Sequence, residues 1–121
     1  MEFIITQNSK TKLEFWKFPS GEFYYSINHD TVIWSFDLSD DGKIIVFNDY
    51  YGIIHIVSLY HKKTLKKINT NFFLIQIKIT PNVDRIISVY DKMNILNIKL
   101  YPKFDFQTLV KHQSTITEYN I

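Results

Sequence analysis

Four histidines, at positions 29, 55, 61 and 112, are the side chains best suited to proton transfer or metal binding. Their spacing forms no recognised ligand motif, so the sequence predicts neither a metal site nor a cofactor. His29 and His112 read as structural loop histidines, His55 falls in a strand and His61 in a turn. The chain has no cysteine, which removes disulfides, thiolate ligands and a thiol nucleophile together. The paired acids Asp40 and Asp41 precede Gly42, in a corner where Asp caps local amides and Gly accepts positive φ. That assigns them to turn geometry rather than acid–base work. With three glycines in all, phosphate-binding and nucleophile-elbow motifs are absent, and so is His-Glu-x-x-His. No catalytic residue is predicted, and the chain is read as a non-enzyme.

One cationic cluster remains, "HKKTLKK" at residues 61–67. Its lysines could touch phosphate or an anionic lipid, or they could be a solvated outer strand on which Lys discourages edge pairing. No aromatics are interleaved and Arg is absent from it, which favours the outer strand. The net charge of +2 does not by itself imply nucleic acid or membrane. Lysine accounts for 13 of the 14 basic residues and alanine is missing altogether, a bias that an A/T-rich coding sequence explains. The pI near 8.7 therefore carries no nucleic-acid signal.

The elements that must position these residues are strands. Ile, Phe, Tyr and Val dominate, and amphipathicity of helical period is nowhere sustained. Aromatics at 17% and apolar residues at 45% support a packed core, and 121 residues suffice for one small domain. No apolar run approaches the ~20 residues of a membrane helix, and no sequon occurs. The expectation is a soluble intracellular chain, cytoplasmic or nuclear, with no membrane partner.

Twelve short strands are predicted, at 2–6, 13–18, 22–27, 32–39, 43–48, 53–59, 64–68, 74–80, 85–90, 95–101, 104–110 and 115–119. They repeat with a period of 41 residues. "FWKFPSGEF" from Phe15 falls on "IVSLYHKKT" from Ile56 and on "NIKLYPKFD" from Asn97. "FDLSDDGKIIVFND" falls on "IKITPNVDRIISVYD" with one extra residue in the second copy. The alternation in "VIWSFDLS" suits a strand with two unlike faces, whereas the unbroken "IIVF" suits one packed on both sides.

Residues 29–68 resemble one repeat of the WD40 β-propeller family: a loop His, an S-x-D-G-K corner, an Asp ending the second strand, and a Gly before the third. Residues 15–27 look like the end of a preceding repeat and 111–121 like the opening of a further one. The implied fold is all-β, with propeller-like blades of four antiparallel strands, about three blades in an incomplete ring. The implied units are 1–28, 29–69, 70–110 and a further strand begun in 111–121. The resemblance also implies a buried set made of a loop His, a Ser or Thr, an Asp and a third-strand Trp. Carried over, His29, Asp49, Trp16, Asp91 with Ser88, and His112 match, with Gly42 at the corner. Val57 and Ile98 stand in place of the Trp, and Thr70 in place of a second loop His.

The function this implies is a non-catalytic protein-binding scaffold. The alternative is an RNA-processing module contacting nucleic acid through Lys62, Lys63, Lys66 and Lys67. The expected partner face gathers the turns and inter-blade loops of one end: Asp30, Tyr50, Tyr51, Asn71, Phe72 and Lys92. Three blades do not close a ring. The chain is therefore expected to be part of a longer propeller, to pair with another copy, or to complete another propeller chain.

Overall fold

The computed structural model describes residues 2–92 and 94–100, and residues 116–120 as backbone. Among the described residues, eleven strands form three antiparallel sheets, each a meander of sequence neighbours. The first holds β1 (Glu2–Ser9), β2 (Lys12–Phe18) and β3 (Phe23–Asn28). The middle sheet holds β4 (Ile33–Leu38), β5 (Ile44–Asp49), β6 (Ile53–Ser58) and β7 (Lys63–Asn69). The third holds β8 (Leu74–Ile79), β9 (Arg85–Tyr90), β10 (Asn94–Lys99) and β11 (Ile116–Asn120). The last strand corrects an expectation: it pairs with β10, Ile95 opposite Asn120, and so completes the third sheet instead of opening a further repeat. The strand expected at 104–110 lies outside the described residues. Two strand-like segments follow β10, and sequence pattern alone does not choose which one an open edge accepts.

The middle sheet is packed on both faces, and β5 shows why. All six of its residues are buried. Successive side chains leave a strand on opposite faces, so Ile44 and Val46 enter one core with Ile54, Ile56, Leu74, Ile77 and Ile86. Ile45 and Phe47 enter the other with Leu13, Phe15, Val57 and Leu59. The unbroken "IIVF" is thus the seam of two inter-sheet cores. Each such side chain contributes roughly 1.5–3 kcal/mol of hydrophobic burial. Polar ties cross the same interfaces: Tyr24 Oη donates to Leu59 O at 2.7 Å, and the Ile79 amide to Asp37 Oδ2 at 2.8 Å.

The 41-residue period reappears atom by atom in the backbone. The Ser39 amide bonds Ile44 O at 2.8 Å and the Thr80 amide bonds Arg85 O at 3.0 Å. Gly42 N to Ser39 O repeats as Val83 N to Thr80 O, and Leu59 N to Lys43 O as Leu100 N to Asp84 O. The Ser39 hydroxyl accepts the Ile44 amide and the Thr80 hydroxyl the Arg85 amide, both at 3.0 Å. Asp41 accepts the Lys43 amide and the Ser39 hydroxyl, which hold its carboxyl below the ordinary range. The acid pair is corner chemistry, as the sequence suggests.

Candidate functional site

The turn from β5 to β6 builds a buried cluster. Asp49 ends β5, and its Oδ1 accepts the amides of Tyr51 at 2.9 Å and Ile53 at 3.1 Å, which fixes the carboxylate. Its Oδ2 meets two imidazoles at once, His29 Nε2 at 3.0 Å and His55 Nε2 at 2.8 Å. His29 comes from the loop before β4 and His55 from β6, where it stacks on Phe47 at 4.5 Å. The side chains of Asp49 and His55 are 3% and 5% exposed, so water cannot replace these bonds. Burial pushes the His55 pKa down against the pull of Asp49. Burial alone would raise that of Asp49, but the hydrogen bonds of His55, His29 and the Ile53 amide outweigh it and hold the carboxyl low.

The loop backbone locks over this turn. A Cβ on Gly52, at φ 79°, would lie 1.9 Å from the Phe72 carbonyl oxygen. Thr70 Oγ1 donates to Gly52 O at 2.7 Å, and its amide bonds the same oxygen. The latter bond is the 41-residue copy of His29 N to Thr11 O. Thr70 thus keeps the backbone role of His29 without its imidazole.

The structure brings His29 and Asp49 together, and Gly42 adopts positive φ, 74°, at its corner. The third-strand member of the set is His55, which sequence reasoning set aside as a strand residue. Aligning Trp16 on Val57 hid it, since Val57 is buried in an apolar core. Trp16 belongs to a separate arrangement, donating from Nε1 to Thr6 Oγ1 at 3.0 Å. The residues 41 positions before Asp49 and His55 are Asn8 and Glu14, and these also pair, at 2.7 Å. Asp91 departs from expectation: it is exposed in a tight turn at φ 51°, beside Lys92 at φ 69°. Ser88 is buried and donates to Gln76 O at 2.7 Å. His112 lies outside the described residues.

On the same end of the sheets, aromatic side chains meet in the open. Trp34 is 47% exposed, Tyr50 55%, Tyr51 68% and Phe73 46%. Trp34 and Phe73 make an edge contact at 5.0 Å, Phe73 and Tyr50 one at 6.3 Å, Tyr50 and Tyr51 one at 5.6 Å. A groove of about 720 Å³ runs from Trp34 and Tyr50 to the β1–β2 turn at Ser9 and Lys10. Asp30, Asn71 and Lys92 are exposed around this end. Phe72 is the exception among the residues expected there. Asn71 at φ 63° reverses the chain, so Phe72 turns inward and stacks on Tyr90 at 4.1 Å, and Phe73 turns outward. Trp34 and Phe73 are the members sequence reading missed.

The lysine cluster lies on the outer strand β7. Lys62 sits over the Tyr24 ring at 4.5 Å, and Lys63 and Lys67 are exposed on the edge of the middle sheet.

No protein-family model and no curated protein sequence matches the chain. Solved structures do. The WD40 repeats of RRP9 superpose with a TM-score of 0.71 at 14% identity, covering 84% of this chain and 33% of that one. The β-propeller domain of Myceliophteria thermophila Cps50 (Swd1) gives 0.69 at 11% identity, with the same coverages. The C-terminal WD40 domain of Sif2 gives 0.67 at 11% identity, covering 81% and 31%. The chain spans about a third of the length of these propellers. Sheet order, the repeated corner hydrogen bonds and these superpositions together give the chain the fold of part of a WD40 β-propeller.

Proposed function

We propose that the chain is a non-catalytic protein-interaction scaffold, acting within a larger propeller or assembly, and that a protein partner docks on the end bearing Trp34, Tyr50, Tyr51 and Phe73. One observation carries this reading: four aromatic side chains, each about half exposed or more, in a chain of ring contacts on the start of β4 and the adjoining turns of a rigid β framework. Such rings give large contact area at low entropy cost and are favoured interface anchors. Asp30, Asn71 and Lys92 supply a polar rim. The lack of a closed ring in a span one third that of the matched propellers supports completion by further blades, from this or another chain.

The test places a photo-crosslinking amino acid at Tyr51 or at Tyr60, which is 76% exposed at the opposite end. The reading expects a defined protein adduct from position 51, abolished by Trp34→Ala with Phe73→Ser, and none from position 60. Equal adducts from both positions, or RNA adducts abolished by replacing Lys62, Lys63, Lys66 and Lys67, would overturn it. Native mass measurement tests the assembly: a well-folded 121-residue monomer removes that part.

A further inference from the structure

We propose that His29, Asp49 and His55 form a binding site for a divalent transition metal of the zinc type. Three donor atoms, two imidazole nitrogens and one carboxylate oxygen, lie within 4.8 Å of one another. They come from a loop, a strand end and the next strand, and the two Nε2 atoms are aimed at a single point rather than at separate acceptors. A tetrahedral Zn²⁺ with bonds of about 2.0–2.2 Å separates its donors by roughly 3.3 Å. The existing 3.0 and 2.8 Å separations therefore need to open by only a few tenths of an ångström.

The surroundings resemble those of a ligand set. Two backbone amides anchor Asp49 Oδ1, leaving Oδ2 for the cation, as outer-shell hydrogen bonds commonly orient metal ligands. Phe47 holds the His55 ring flat against its own at 4.5 Å. Imidazole with carboxylate suits zinc, copper or nickel rather than calcium or magnesium. A cavity of about 200 Å³ is lined by both imidazoles and gives an approach to the cluster from the histidine side. Two further charges face it, Lys67 on the cavity wall and Asp30 at 3.6 Å from His29 Nε2. They oppose one another, so the local field falls chiefly to Asp49. In the metal-free chain each Nε2–H donates to Asp49 Oδ2; a metal bound at Nε2 displaces these protons and leaves each ring a neutral imidazole with its proton on Nδ1.

The full chain, purified in chelator and freed of it, is titrated with Co²⁺ as a spectroscopic probe and then with Zn²⁺. The expected result is one Co²⁺ per chain with visible d–d bands of four- or five-coordinate intensity, displaced by Zn²⁺. Zinc at a hundredfold excess over Kd raises Tm by roughly 10 °C. His55→Phe abolishes the bands, and His61→Gln, remote from the cluster, keeps them. Where His55→Phe fails to fold, His29→Gln, on the more exposed loop, makes the same test. Absence of bands in the wild-type chain, or bands that persist in a folded His29 or His55 variant, overturns the assignment.

Discussion

The middle and third sheets turn the same corner with the same backbone hydrogen bonds, yet one places Gly42 at φ 74° where the other places Val83 at φ 57°. At the opposite end the middle sheet holds Asp49 buried between two imidazoles, whereas the third leaves Asp91 exposed in the left-handed region. Backbone geometry repeats across the 41-residue period; the side chains that make it comfortable do not. A β-branched residue at positive φ costs about 1–2 kcal/mol or more. The third sheet therefore stores strain at its corner and gains little from its far turn, while the middle sheet is satisfied at both ends and packed on both faces. Blade identity here resides in hydrogen-bond register, and stability resides in the middle blade.

The comparison breaks hardest at Gly52. Alanine there drives a Cβ into the Phe72 carbonyl oxygen, 1.9 Å away, and the loop must move off its two bonds from Thr70. Gly52→Ala should cost about 5 kcal/mol, most of the stability of a chain this size, read as loss of the cooperative urea transition. Next comes Asp49→Ala, which strands two imidazoles and two amides in a dry site and should cost about 3 kcal/mol. Asp91→Ala, at the exposed turn, should stay within about 0.5 kcal/mol. Equal losses at Asp49 and Asp91 would erase the distinction between the sheets.

How much of this was legible follows from which level carries it. The "IIVF" run announced a strand packed on both faces because an apolar residue is needed wherever either face is covered, and residues 44–47 are all buried. His29 and Asp49 were legible through the repeat. His55 was not, since the 41-residue period places Val57 and not His55 opposite Trp16, while the bond is set by which face of β6 the Asp49 carboxylate reaches. Phe72 and Phe73 are adjacent and equally apolar, and only the left-handed Asn71 decides which one is buried. Trp34 reads as half of an alternating strand, and only the neighbouring loop shows that its outward face meets Phe73. The metal-ligand grouping escaped because its histidines are 26 residues apart in no recognised spacing.

Acid should separate the sheets more gently. The folded-state pKa of His55 is lowered, so the folded chain takes up its proton later than the unfolded chain does. Its stabilising contribution is complete above about pH 6.5 and is lost as pH falls from there toward the lowered folded value. Asp49, also lowered, contributes fully above about pH 3.9 and loses that contribution as pH falls through its folded value. Urea midpoints of the metal-free chain should thus decline in two stages. His55→Phe should remove the upper stage and also move the lower one, because the His55 hydrogen bond helps hold the Asp49 carboxyl low, whereas His61→Gln should change neither. A single stage confined to the carboxylate range would show that His55 titrates alike in both states.

A small shift at one corner is the most discriminating test of both. Val83→Gly relieves positive-φ strain of about 1–2 kcal/mol, but it forfeits roughly 1 kcal/mol of the isopropyl group packed against the larger core, and glycine adds about 0.5–1 kcal/mol of unfolded-state entropy. These terms nearly cancel, so Tm should move by less than about 4 °C. Gly42→Val runs the same exchange in reverse at a corner built around glycine, and there strain enters without a matching gain in core contact, at a cost of about 2 kcal/mol. Symmetric shifts of opposite sign would mean that φ alone governs both corners. The predicted asymmetry would mean that Val83 is kept in a strained backbone by what its side chain covers.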